Sequence, residues 1–208
     1  MKNVLNLDLI APDLHEQAQE GYENGEANCL FLAPNDYWLT IIADNIWHLL
    51  ERGIYEPGLL EAFTSCRVNH ANWSVPALEF LFNLADPDNL QAAGDELPDG
   101  HELVIYRGVA GKGCRRRCRG FSWTLSLDQA CWFANRSGAV FCLGSRGVVA
   151  ATVQRDEILA FVDDRSEQEV IVRPTHYRRL KLPDGEIERR ANAVSGKIQA
   201  TNTKAAAI

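Results

Sequence analysis

The spacing of apolar residues changes once along this chain, across Gly94-Asp-Glu-Leu-Pro-Asp-Gly100, and that change limits the fold more than any other feature. Before it the pattern is helical. Tyr37–Arg52 carries Trp38, Ile41, Ile42, Ile46, Leu49 and Leu50 on one face, with Asn35 or Asp36 to cap its start and Gly53 to close it. A second helix is predicted from Pro57 to Ser65. A third has Ser74 as N-cap and Pro76 in its first turn, and runs through Leu78, Phe80, Leu81 and Leu84 to Asp86-Pro87. After the polar Gly94–Gly100 loop, short β-branched and aromatic runs take over. Strands are predicted at Leu103–Arg107, Phe121–Thr124, Gly147–Gln154, Ile158–Val162 and Glu169–Arg173, with His176–Leu180 as a further one. One helix interrupts them: Ser126-Leu-Asp-Gln129 is a capping box opening a segment with Ala130, Trp132, Phe133 and Ala134, whose aromatics read as core. The order predicts an α+β chain. A helical segment occupies 1–100, a strand-rich core 101–190, and a polar, Ala/Thr-rich, mobile tail 191–208.

Charge divides the chain near the same place. Residues 1–100 hold 3 Lys/Arg against 17 Asp/Glu, a net of −14, and residues 101–208 hold 18 against 11, a net of +7. Either the halves neutralise each other or the basic half meets a polyanion, a dinucleotide or a nucleic acid. Four arginines in Arg115-Arg-Arg-Cys-Arg119 are a candidate phosphate-contacting loop, or a solvated loop that balances the acidic half. No apolar run approaches the roughly 20 residues that span a bilayer, and the first residues do not read as a secretory signal, so a cytoplasmic protein is expected. The six cysteines are then expected to be reduced. Cys114-x3-Cys118, with Cys131 and Cys142, falls within the broad zinc spacing but lacks a matching second pair, and His15, His48, His70, His101 and His176 form no metal spacing. No metal is expected.

Glu167-Gln168-Glu169 is the strongest chemical signal. Two carboxylates two residues apart at the head of a strand share a face, with Cα atoms roughly 6.5 Å apart. Such a pair can divide a reaction, one member stabilising a cationic transition state and the other handling a proton. Alone, it also fits a solvated acidic strand end. Two further elements precede it: Tyr106-Arg107-Gly108 at a strand end, and Gly120-Phe-Ser-Trp-Thr-Leu-Ser126 leading into a helix. Taken singly, Arg107 could be a surface arginine and Ser122 a plain strand residue.

In that order the three elements resemble the mono-ADP-ribosyltransferase family, in its Arg-Ser-Glu class of bacterial toxins and phage-encoded enzymes. The resemblance covers roughly residues 102–182. It implies a mixed split β-core of two packed sheets, with the N-terminal helices covering one side of an NAD cleft. It also implies NAD as co-substrate and roles for single residues. Arg107 binds the NAD phosphates or adjacent ribose, where a planar guanidinium offers paired donors. Gly108 lets the backbone approach nicotinamide. Ser122 hydrogen-bonds the catalytic Glu169, which holds the ribose 2′-hydroxyl and stabilises the oxocarbenium-like cation. Glu167 positions or deprotonates the acceptor, while Tyr106, Phe121, Thr124 and Trp123 line the cofactor pocket. The family's middle element is Ser-Thr-Ser; here it is Ser122-Trp123-Thr124, which alters the nicotinamide contacts.

Within the family, Glu at the first position of the pair accompanies protein-arginine acceptors, and Gln accompanies asparagine, glutamine or nucleic-acid bases. Glu167 therefore favours a protein arginine, since a carboxylate can pair with the incoming guanidinium. An RNA or DNA base is the alternative acceptor, water would make an NAD glycohydrolase, and an antitoxin or inhibitor is a further partner compatible with the resemblance. A nucleic-acid-binding or interaction module is the reading from a different class.

Overall fold

The computed structural model describes residues 5–65, 73–113, 118, 120–163, 166–183 and 185–205. Cys66, His70, Cys114 and the basic loop's Arg115, Arg116, Arg117 and Arg119 lie outside the described residues. The chain divides into two units, Met1–Gly94 and Asp95–Ile208.

The first unit is helical: α1 (His15–Asn24), α2 (Trp38–Asp44), α3 (Ile46–Arg52), α4 (Tyr55–Ser65), α5 (Val75–Leu84) and α6 (Pro87–Ala92). The single helix expected over Tyr37–Arg52 is two, broken at Asn45. This buried side chain donates to the Ile41 and Asn6 carbonyls and accepts from the Asn6 amide, drawing on backbone groups that a continuous helix would use itself. Gly53 closes α3 in the left-handed conformation, with φ 73°. The Ser74 hydroxyl caps α5 by accepting from the Ala77 amide, and the Asp86 carboxylate caps α6 by accepting from Asp88 and Asn89. The apolar stripes of α2, α4 and α5 converge on Leu39, Ile42, Leu59, Phe63, Leu81 and Phe82, all buried. Each large side chain in such a core contributes about 1.5–3 kcal/mol.

The second unit is a sheet with helices. Strands β1 (Glu102–Val109), β2 (Ser122–Thr124), β3 (Gly147–Gln154), β4 (Ala160–Val162), β5 (Glu169–Ile171) and β6 (Arg178–Arg179) form one antiparallel sheet in the order β4-β5-β2-β1-β3-β6. Where two packed sheets were expected, the described strands hydrogen-bond into one. The link between its three-stranded halves is slight: β1 and β2 pair only at Tyr106↔Thr124, whereas β1 and β3 pair from Glu102↔Gln154 to Val109↔Gly147.

Alternation sorts the side chains onto two faces. One carries Ile105, Val109, Trp123, Val149, Ala151, Val153, Phe161 and Val170, a continuous buried cluster. The other is covered by α7 (Leu127–Val140), whose Ala130 and Cys131 meet Val148, with Tyr106, Leu180 and Ile187 around them. Trp132 and Phe133, expected in the core, are half-buried and meet edge to face at 5.2 Å. The segment from Ala191, expected as a mobile tail, lies within α8 (Glu186–Ala205). Glu186 anchors the start of α8 by accepting from Arg189 and Arg190 along the helix, and Arg190 also pairs with Asp128 of α7.

Candidate functional site

The sheet register brings four of the expected site residues to one face. Thr124 of β2 stands opposite Glu169 of β5, Ser122 opposite Ile171, and Tyr106 of β1 opposite Thr124. Directly opposed residues share a face, so Tyr106, Ser122, Thr124 and Glu169 lie together on the α7 side. Thr124 and Glu169 are buried, at 2% and 9% exposure, in a sheet whose other buried residues are almost all apolar. The hydroxyl that engages the glutamate segment belongs to Thr124, not Ser122. Thr124 Oγ1 donates to the Glu167 carbonyl at 2.8 Å and accepts from the Ser126 amide at 3.1 Å. Ser126 in turn caps α7 by accepting from the Gln129 amide at 3.2 Å, and the Leu125 amide donates to the Gln168 carbonyl at 3.1 Å. Three consecutive residues, Thr124, Leu125 and Ser126, therefore tie the end of β2, the start of α7 and the approach to Glu169 into one unit. The Ser122 hydroxyl makes no hydrogen bond among the described residues, and faces the same side as Glu169 without bonding it.

The two glutamates are not equivalent neighbours on a strand. β5 begins at Glu169, and the residues flanking Glu167 are left-handed: Ser166 at φ 56° and Gln168 at φ 48°. Gln168 breaks the two-residue alternation, so the shared face inferred from strand spacing does not extend to Glu167. Left-handed conformations cost non-glycine residues about 1–2 kcal/mol each and persist where the surroundings fix them. Here Asp163 does so, accepting from the Ser166 amide through its carbonyl and from the Gln168 amide through its carboxylate, while its own amide donates to Asp95 at 2.7 Å. Asp163 and Asp95 are part of the site's scaffold, and no sequence motif pointed to them. A clue was available in Asp163-Asp164 preceding a Ser-Glu-Gln-Glu run, since Asp side chains hold tight loops through backbone amides.

Arg107 and Trp123 belong to the opposite face. Arg107 pairs across from Val149. Its half-buried guanidinium donates to the Ser122 carbonyl and lies against Gly120, where a Cβ would stand 2.8 Å from Nη2. This arginine therefore bridges β1 and β2 where their strand pairing is down to one pair. Trp123, expected in a pocket wall, is buried in the apolar cluster and donates its indole N–H to the Gly120 carbonyl at 3.0 Å. Phe121 is buried, and its carbonyl accepts from the Val172 amide. Gly108 is closed in by helix: a Cβ there would stand 2.1 Å from the Ala130 carbonyl oxygen and 2.5 Å from the Ala134 nitrogen. Its missing side chain lets α7 approach β1, a packing need that sequence reasoning assigned to nicotinamide.

A separate cleft of about 430 Å³ opens between the Leu143–Gly147 segment, β6 and the start of α8, with Arg146, Arg179 and Glu188 in its wall. None of the sequence-expected site residues lines it. Among the described residues no three His, Cys, Asp or Glu side chains are grouped to hold a metal ion. Burial pushes the Cys29 and Cys131 thiols up to about 11. No helix among the described residues is long and apolar enough to cross a membrane. Compared with known proteins, the chain matches no family model, no curated protein and no solved structure.

Proposed function

We propose that this chain transfers ADP-ribose from NAD to a macromolecular acceptor, a protein arginine, with release of nicotinamide. The observation that carries the reading is the Thr124↔Glu169 pairing. It puts a buried carboxylate beside two strand hydroxyls, at the end of a loop held in a left-handed conformation. A carboxylate kept in such surroundings suits a developing positive charge, because the low local dielectric strengthens its attraction for a cation. In this proposal the two halves of the single sheet, joined at Tyr106↔Thr124, stand in for the split core that the resemblance implies.

In the reaction the bond between ribose C1′ and the nicotinamide nitrogen breaks. Its electron pair leaves with nicotinamide, whose ring loses its positive charge. Glu169 accepts a hydrogen bond from the ribose 2′-hydroxyl and stabilises the oxocarbenium-like cation. Ser122, on the same face, supplies a hydroxyl to orient the ribose or the carboxylate. The acceptor nitrogen forms the new bond to C1′ as Glu167 takes its proton, and the loop that carries Glu167 is fixed through its carbonyl by Thr124. The resemblance gives Arg107 the NAD phosphates; its guanidinium stands at the β1–β2 junction on the face opposite Glu169, so in this scheme the phosphates pass that junction to meet it. Tyr106, Phe121 and Gly108 support the walls.

The test is to incubate the protein with NAD and cell lysate and to measure nicotinamide release and labelled ADP-ribose. Glu169→Gln is expected to lower both by about 10²–10³-fold, the range for removing one group that stabilises transition-state charge. Glu167→Ala is expected to abolish transfer and retain NAD hydrolysis. A Glu169→Gln protein that keeps near-wild-type rates, or a wild type inactive with NAD in every lysate, would sink the reading. Label that resists protease and yields to nuclease would move the acceptor to a nucleic acid.

A further inference from the structure

The cleft between the Leu143–Gly147 segment, β6 and α8 has a wall chemistry that the transferase reading does not use. Its cations come from separate elements. Arg179 is exposed on β6, the edge strand, and has no carboxylate partner among the described residues. Arg146 is seated on α7 at Gly138, where a Cβ would stand 2.8 Å from its Nε, and pairs with Glu188 at 3.2 Å across the cleft. That pair is exposed, and exposed pairs are worth no more than about 1 kcal/mol, so a stronger anion can displace the carboxylate. The loop bearing Arg146 is held in place: the Leu143 amide donates to the Gly138 carbonyl and the Gly111 amide to the Gly144 carbonyl, at 2.9 and 2.6 Å. At Gly144 and Gly185 a Cβ would meet nothing within 4 Å, so backbone at the rim is open to a close-fitting ligand. Leu180, Leu182 and Ile187 add apolar wall.

We propose that this cleft is a second site, which binds a phosphate group through Arg146 and Arg179 and seats the attached sugar or base on the leucine wall. Guanidinium forks match phosphate oxygens in pairs, and about 430 Å³ lies within the range of ligand sites and exceeds what a bare phosphate needs. The phosphate comes either from a free nucleotide or from the backbone of a nucleic-acid strand. Arg178 of β6 and Lys181, two residues beyond the strand, are exposed and add positive charge to this stretch of chain.

The test uses the whole chain labelled with ¹⁵N and titrated to millimolar concentration with adenosine 5′-monophosphate, with adenosine, and with a short RNA lacking terminal phosphates. Amide signals of Gly144, Gly147 and Gly185 are expected to move with the monophosphate or the RNA and not with adenosine. Arg179→Gln is expected to weaken that binding by about tenfold, and Glu188→Gln to strengthen it. A larger response to the RNA at equal phosphate concentration assigns the backbone as the source, and the reverse assigns the nucleotide. Glycine amides that stay still with both phosphate probes, or that move as much with adenosine, would overturn the site. So would an Arg179→Gln protein that binds as tightly as wild type. Because the readout is local to these glycines, its failure leaves the NAD reaction untouched.

Discussion

Gly108→Ala is the substitution that most directly tests how the second unit is put together. The added Cβ would stand 2.1 Å from the Ala130 carbonyl oxygen, and ordinary contact begins near 3.4 Å, so α7 has to retreat by about 1.3 Å or β1 has to bend. Neither is free. β1 pairs without interruption along β3, and α7 is clamped on its far side by the Arg190–Asp128 ion pair to α8. A radial gap of about 0.5–1 Å already forfeits a quarter to a half of each dispersion contact. The loss would spread over Ala130, Cys131, Ala134 and Val148, all buried. Overpacking of this kind costs about 1–3 kcal/mol and sometimes more, and with backbone rather than a flexible side chain in the way the expected value is about 3 kcal/mol. Gly108 has no left-handed φ, so the cost reports packing alone. Urea denaturation followed by circular dichroism measures it, with Gly144→Ala as the control: a Cβ at Gly144 meets nothing within 4 Å, and its expected change is within about 0.5 kcal/mol. Equal midpoints for Gly108→Ala and wild type would refute the seating of α7 on β1.

Thr124→Val keeps the shape of the side chain and removes the hydroxyl between the Glu167 carbonyl and the Ser126 amide. A loss of about 1–3 kcal/mol in chemical denaturation is expected, with Ser122→Ala nearly neutral, and equal effects would show that Thr124 does not anchor the loop. With thiols pushed up to about 11, Cys29 and Cys131 hold only about one thousandth of their sulfur as thiolate at pH 8. Native alkylation followed by peptide mapping should therefore modify exposed Cys142 well ahead of either, and prompt labelling of Cys131 would contradict its burial. Hydrogen bonds from Arg189 hold the Glu186 carboxyl down at about 2, helped by Arg190. A depressed carboxyl lends stability above its ordinary value near 4.5 and loses it as pH falls towards 2. The amides at the start of α8 should lose protection, measured against their intrinsic exchange rate at each pH, as pH falls across that window, an effect that Glu186→Gln removes.

The parts of this fold that were legible in the sequence are those set by local chemistry. Ser74, Ser126 and Gly53 marked helix ends because capping and left-handed closure use residues adjacent in the chain. Strand positions followed from β-branched runs. What failed depended on groups far apart. Asn45 lies inside an uninterrupted apolar stripe, and its break is visible only once Asn6, 39 residues away, takes two of its hydrogen bonds. The strand begins at Glu169 as its β-branched run indicated, but Glu167 does not share its face, because Asp163 and Asp95 hold the loop before it in a shape that spacing does not encode.

The same distinction governs the candidate site. Glu169, Ser122, Thr124 and Tyr106 reach one face because antiparallel register aligned them, and alternation within each strand was readable in advance. Which hydroxyl meets the glutamate segment was not, since a shift of register by two residues would keep every face and exchange Ser122 for Thr124. Arg107 and Gly108 show the limit most clearly. A glycine beside an arginine at a strand end reads as a ligand site because both features suit phosphate and close backbone approach. Gly108 is equally required by a helix lying 2.1 Å from where its Cβ would be, and the Arg107 guanidinium by a carbonyl on a neighbouring strand. A residue can meet both demands at once. Arg107→Lys keeps the charge and loses the planar fork, which both roles use. Because the fork bridges β1 to β2, the unit is expected to lose stability in chemical denaturation; a variant as stable as wild type with weakened NAD affinity would show that the guanidinium serves the phosphate and not the bridge.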